Sequence, residues 1–127
     1  MNNELKLKWL WNLAGISLLL VVAIGSLMPA PDTGVNDKAS HLLAYAVMSG
    51  WFSLLVDRPV RLIWVLIALF LYGALIEFLQ SMTADRYAEW GDVVANSIGI
   101  LLGLIAYFSP FRNWLIQIDR RLVRFKC

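Results

Sequence analysis

The sequence predicts an all-α integral membrane protein, a bundle of four spanning helices followed by an amphipathic helix. Three observations predict it. Of the 127 residues, 60% are hydrophobic and 16% charged, more apolar surface than a soluble domain of this length can bury. The apolar residues gather into four runs, roughly Trp9 to Met28, Ala39 to Val56, Leu62 to Met82 and Val93 to Ser109, each near the about 20 residues that a helix needs to cross the hydrocarbon core. The charged residues fall between and after these runs. The whole chain reads as a single membrane domain.

The first run follows Lys6 and Lys8 and precedes "LMPAP", which invites comparison with a secretory signal peptide. Its apolar part, Leu13 to Leu27, is at the upper limit of length for such a segment, and Trp9 and Trp11 suit an interfacial anchor. It is read as a retained transmembrane helix. Pro29 and Pro31 end it, and Gly34 permits a tight bend.

The second helix opens with "NDKASHLLAY". Asp37, His41 and Tyr45 step by four, so they share one stripe of a helix, and Lys38 lies three residues before His41 at the stripe's edge. Asp37 also suits the role of N-cap, where a carboxylate accepts from the orphan amides.

In the third helix, Gly73, Glu77 and Gln80 fall on one face, a small residue followed by two polar ones. Glu77 sits about five residues, or roughly 7–8 Å at 1.5 Å per residue, inside the helix end. A carboxylate at that depth needs a partner.

The connection "MTADRYAEWGD" carries Tyr87 and Trp90, which suit the headgroup level. Its Arg86 can pair with Glu77, Asp85 or Asp92, or meet a phosphate or carboxylate with its planar fork. The fourth helix aligns Asp92, Asn96, Gly99 and Gly103, the glycines forming a GxxxG pair of the kind that packs helices tightly. In the tail over about 111–126, Phe111, Trp114, Leu115, Ile118, Leu122 and Phe125 recur at near-helical spacing among arginines. It is expected to lie as an amphipathic helix on the anionic inner leaflet.

Orientation follows from charge. Of the 11 basic residues, all but Lys38 and Arg86 lie in the amino-terminal segment, in the loop with Arg58 and Arg61, or in the tail. Positive segments stay on the cytoplasmic side, so both termini are expected inside, in a bacterial inner membrane. "NDKASHLLAY", "EFLQ" and "GDVVAN" then share the outer face.

Three helices thus bring polar stripes to a similar depth on one side. Ionisable groups within spans are costly and suggest a functional site. The plainer alternative is a polar lock in which His41, Glu77, Gln80 and Asn96 bond one another. Among function classes, the first reading is a binding protein whose pocket of Asp37, Lys38, Tyr45, Gln80, Arg86 and Asn96 takes the anionic headgroup of an amphiphile. The second is an intramembrane enzyme using His41, Glu77 and Asp92 as acid and base or as ligands to a metal. No HExxH or nucleophile motif accompanies them, so no metal or cofactor is specified. The single cysteine, Cys127, excludes an intramolecular disulfide and a cysteine-based cluster. Four short helices leave little room for a transport pathway. A net charge of +2, with the tail's arginines interleaved with membrane-seeking side chains, gives no support for nucleic-acid binding. Membrane lipids are the expected partners, and a homo-oligomer or an envelope protein partner stays open.

The pieces "LMPAPD", "DKASHLLAY", "EFLQ" and an arginine followed by "GDVVANSIGILLG", in that order from about Ser26 to Gly103, resemble the VanZ-like family of bacterial membrane proteins. The resemblance implies a helical membrane protein of the cell envelope, linked in its name-giving members to teicoplanin-type glycopeptide resistance. Carried onto this chain, the family's polar positions fall on Asp37, Lys38, His41, Tyr45, Glu77, Gln80, Arg86, Asp92 and Asn96. Lipid-linked cell-wall intermediates such as polyprenyl-phosphate precursors are the ligands this implication favours.

Overall fold

A computed structural model describes residues 4–29, 36–84 and 87–125. Among these residues the protein is entirely helical: α1 (Lys8–Leu27), α2 (Asp37–Leu55), α3 (Leu62–Ser81), α4 (Trp90–Leu104) and α5 (Phe111–Phe125). A tight 3-10 turn, Pro59–Arg61, leads into α3, with proline where its missing N–H costs no helical bond. A second such turn, Ile105–Phe108, prolongs α4.

Three segments are long and apolar enough to cross a membrane: Lys8–Leu27, Pro59–Ser81 and Trp90–Phe108. This is a membrane protein by length and composition of its helices. The second expected span, α2, has the right length but is diluted by Ser40, His41, Tyr45, Ser49 and Ser53. Four of these, all but Ser40, are buried against other helices, so α2 is polar inward.

The most extensive interface is α2 against α4, and its cause is the glycine pair of α4. A Cβ at Gly99 would collide with the Leu42 carbonyl oxygen, and one at Gly103 would lie 2.5 Å from Ala46 O and Ser49 Cβ. Only glycine lets the backbones come this close. Ser49 uses the proximity to donate to Ile100 O at 2.7 Å. Tyr45, Met48, Val65, Leu69 and Ile100 form the core where α2, α3 and α4 meet.

Helix α1 is held differently. Gly15 is its only buried residue, seated against the Phe52 ring, while Leu13, Ile16, Leu20, Val21 and Ile24 are exposed, an apolar surface suited to lipid. Side chains from its neighbours reach its carbonyls instead. Trp51 Nε1 donates to Trp11 O at 3.1 Å, Tyr72 OH to Leu19 O at 2.6 Å and Gln80 Nε2 to Ser26 O at 2.8 Å.

Helix α5 forms where its periodicity places it, and one of its faces docks under the other helices. Leu115 and Ile116 pack with Leu5, Trp11, Leu54 and Leu55, while Phe111, Trp114 and Phe125 stay exposed. The cause is Asp119, fully buried, which accepts from Lys6 N at 2.6 Å, Leu7 N at 2.9 Å and Trp11 Nε1 at 2.8 Å. Its carboxylate thereby supplies the orphan amides just before α1. Arg112 Nη1 donates to Leu54 O and Val56 O at the end of α2, and its guanidinium lies 5.0 Å from the Tyr107 ring centroid. The two terminal segments therefore meet at one end of the molecule.

Candidate functional site

The opposite end holds the polar cluster. Helix α2 starts there at Asp37, capped by Asn36, whose Oδ1 accepts from Lys38 N at 3.0 Å. Asp37 is thus not the cap but the first helical residue. One turn later comes His41, its Nε2 3.7 Å from Asp37 Oδ2. The four-residue spacing read from the sequence does place the two side chains together.

Helix α4 begins at Trp90, three residues before its apolar run. Gly91 and Asp92 break the apolar pattern without breaking the helix, and an acid in the first turn suits the helix dipole. Asp92 and Asn96 then lie one turn apart, 3% and 4% exposed. Asn96 Oδ1 is 2.9 Å from His41 Nδ1. An amide oxygen only accepts, so Nδ1 carries the proton and Nε2 is the nitrogen left for other work.

Helix α3 contributes Glu77, 5% exposed, with Oε1 3.8 Å from His41 Nδ1. Among the described residues neither Glu77 oxygen has a hydrogen-bond donor in good geometry, the Asn96 amide being near it, and Asp92 Oδ1 has none either. Gly73, one turn before Glu77, makes room for its neighbours: a Cβ there would stand 3.3 Å from Tyr45 OH and 3.5 Å from Asn96 Nδ2. Tyr45 is buried, its hydroxyl without a hydrogen bond among the described residues and its ring 6.1 Å from that of Tyr72.

Two predicted residues stand apart from the imidazole. Gln80 is engaged in holding the last turn of α1 through Ser26. Lys38 forms an exposed pair with Glu89 at 2.9 Å and reaches only to 4.0 Å from Asp92 Oδ1. Arg86, with Asp85, lies outside the described residues. Glu89 and Ser26 escaped the sequence reading, since each meets its partner more than 50 positions away and no local spacing reports that.

A cleft of about 210 Å³ opens beside the cluster between α1 and α2. Val22, Gly25 and Ser26 form one wall, and Asp37, Ser40, His41, Ala44 and Tyr45 the other. One ligand atom each from Asp37, His41 and Asp92 lie within 4.8 Å of one another. The assembly therefore places an oriented imidazole among three carboxylates at the edge of an open cleft, a donor set suited to proton transfer or to a hard cation.

These features first define a class: a small helical membrane protein with a buried imidazole–carboxylate cluster at the end of its helices remote from the termini. Its family follows from comparison. The family model described as VanZ/LLP1 matches residues 7–115, and the chain belongs to that family. The match runs from just before α1 into α5 and takes in every candidate site residue. No curated protein and no solved structure matches the chain.

Proposed function

We propose that this protein engages the anionic headgroup of a cell-envelope lipid in the cleft beside His41, and that His41, Glu77 and Asp92 are the groups that act on it. The observation that carries the reading is the buried Glu77 carboxylate, without a well-formed hydrogen bond among the described residues, 3.8 Å from an imidazole that Asn96 already orients. A polar lock satisfies its own groups, because a buried polar atom without a partner is costly. Charges kept together in lipid without serving each other's hydrogen bonds are better explained by a ligand.

The cleft's position between α1 and α2 supports a lipid in particular. An amphiphile can bring its headgroup to the cluster while its chains stay beside the exposed apolar face of α1. Lipid-linked cell-wall intermediates, such as polyprenyl-phosphate precursors, fit this description, and a change in glycopeptide (teicoplanin) susceptibility is the phenotype that family membership brings forward.

Helix α2 serves as a fourth span, giving a four-helix bundle. Lys6, Lys8, Arg58, Arg61, Arg112, Arg120, Arg121 and Arg124 belong to the segments at the end where the termini meet, which the positive-inside rule assigns to the cytoplasm of a bacterial inner membrane. The cluster then faces outward, at the depth of outer-leaflet headgroups.

Catalysis is favoured over simple anion binding by the charge balance. Asp37, Glu89 and Asp92 surround Lys38, the one lysine or arginine beside the cluster among the described residues, and Glu89 already engages it. The test is mass spectrometry of lipids retained by the purified protein in mild detergent. Selective retention of a phosphate-bearing lipid by the wild type, reduced in Glu77→Gln and Arg86→Ala, is the expected result. Retention of bulk lipids in the same proportions by all three proteins would remove the proposal.

A further inference from the structure

A pocket rich in carboxylates repels the anionic headgroup it is proposed to take, and the cluster's geometry contains the remedy. Asp37, His41 and Asp92 converge from the first turns of α2 and α4, with one ligand atom from each inside a 4.8 Å limit. Ligands of a common first-row ion bound at about 2.0–2.2 Å stand about 3–4 Å apart, so small side-chain adjustments complete the triangle.

Two further observations point to an ion. Asp92 is 3% exposed, yet among the described residues its Oδ1 accepts no hydrogen bond, and the Lys38 ammonium lies 4.0 Å away. The imidazole is set as a metal-binding imidazole usually is: Nδ1–H donates to Asn96 Oδ1, which fixes the ring and leaves Nε2 available toward Asp37.

We propose that Asp37, His41 and Asp92 bind one divalent metal ion of the Mn²⁺ or Zn²⁺ class, with Asn96 as the positioning residue behind His41. The ion's role rests on the lipid-headgroup reading: it converts an acidic pocket into one that accepts a phosphate oxygen, and it leaves Glu77, on the Nδ1 side of the ring, free to exchange a proton. The mixed nitrogen and oxygen donors suit these ions better than Ca²⁺, which favours oxygen alone.

The experiment uses the full chain in detergent, stripped with chelator and titrated with Mn²⁺ alone, the free ion being read by electron paramagnetic resonance. About one ion per chain is expected, with affinity reduced at least about tenfold by Asp37→Asn and by His41→Gln. Asp37 is half exposed, so replacing its carboxylate by an amide of the same size opens no cavity. Asp57→Asn, at the other end beside Arg61, is the unchanged control. Absence of stoichiometric Mn²⁺, or wild-type affinity in both variants, overturns the site.

A second arm measures phosphatidic acid binding in mixed micelles with and without Mn²⁺. Binding that needs the ion and is lost in Asp37→Asn supports the bridge, and equal binding without the ion overturns it. A bound ion with no lipid binding leaves the ion site standing and overturns the headgroup reading. Inorganic phosphate shares the ligand chemistry and separates the sources: equal competition by it would make the ligand a free phosphate and not a lipid.

Discussion

His41 Nδ1 lies 2.9 Å from Asn96 Oδ1, joining α2 to α4 within the buried site. The contact depends on the glycines below it. Gly99 and Gly103 bring the two backbones together, and only at that separation do an imidazole and a carboxamide from different helices meet directly.

Replacing Asn96 separates positioning from mere folding. Asn96→Leu leaves the His41 N–H without its acceptor, at a cost of about 1–3 kcal/mol, and is expected to lower the melting temperature in detergent and abolish headgroup retention. Asn96→Asp keeps the acceptor and is expected to restore part of the retention. Equal function in Asn96→Leu and wild type would show that the bond orients nothing.

Gly99→Ala and Gly25→Ala should differ sharply. The first drives a methyl group into the Leu42 carbonyl, whereas the second meets nothing within 4 Å. The expected loss for Gly99→Ala is about 1–3 kcal/mol or more, against no loss for Gly25→Ala. Thermal melts of the two variants in one detergent check this.

The sequence displayed most of this architecture because membrane helices announce themselves by unbroken apolar length. The GxxxG pair and the four-residue steps from Asp37 to His41 and from Asp92 to Asn96 were readable for the same reason, being local properties of one helix. Glu89 as the partner of Lys38, and Gln80 as a tie to Ser26, were not, since they depend on how separate helices are brought together. Asp119 was the largest omission. On a basic tail it reads as one acid among arginines, and its burial follows only from α5 docking against Lys6 and Leu7.

Asp119 gives the tail a dependence on pH. Burial alone would raise its pKa, but the Lys6 amide, the Trp11 indole and the Leu7 amide together hold it below the ordinary value of 3.8. A carboxyl with a depressed folded-state value stabilises docking above the unfolded value and loses that contribution as pH falls through the folded one. The tail should stay docked at neutral and mildly acidic pH and loosen only below about 3.8. The Trp11 indole N–H resonance reports this directly. Loosening already near pH 6 would contradict the assignment.

Arg112→Ala should undock α5 from the other side. It removes the donors to Leu54 O and Val56 O and the contact over Tyr107, for an expected loss of about 1–3 kcal/mol. Arg112→Lys should recover only part, since a point charge does not reproduce the guanidinium fork. Protease sensitivity of the carboxy-terminal segment measures both. A tail equally protected in Arg112→Ala would mean that Asp119 and the Leu115–Ile116 contacts suffice.

The central claim is that the cleft between α1 and α2 is occupied by the headgroup region of a particular lipid. The most direct measurement places a photo-reactive amino acid at Val22, in the cleft wall, and in a separate protein at Ile24, 60% exposed on the same helix. After illumination in native membranes, the adducts are identified by mass spectrometry. The expected result is a phosphate-bearing lipid enriched at Val22 and lost when His41→Gln is added, with bulk lipid at Ile24. The same bulk lipids at both positions, unaffected by His41→Gln, would contradict it.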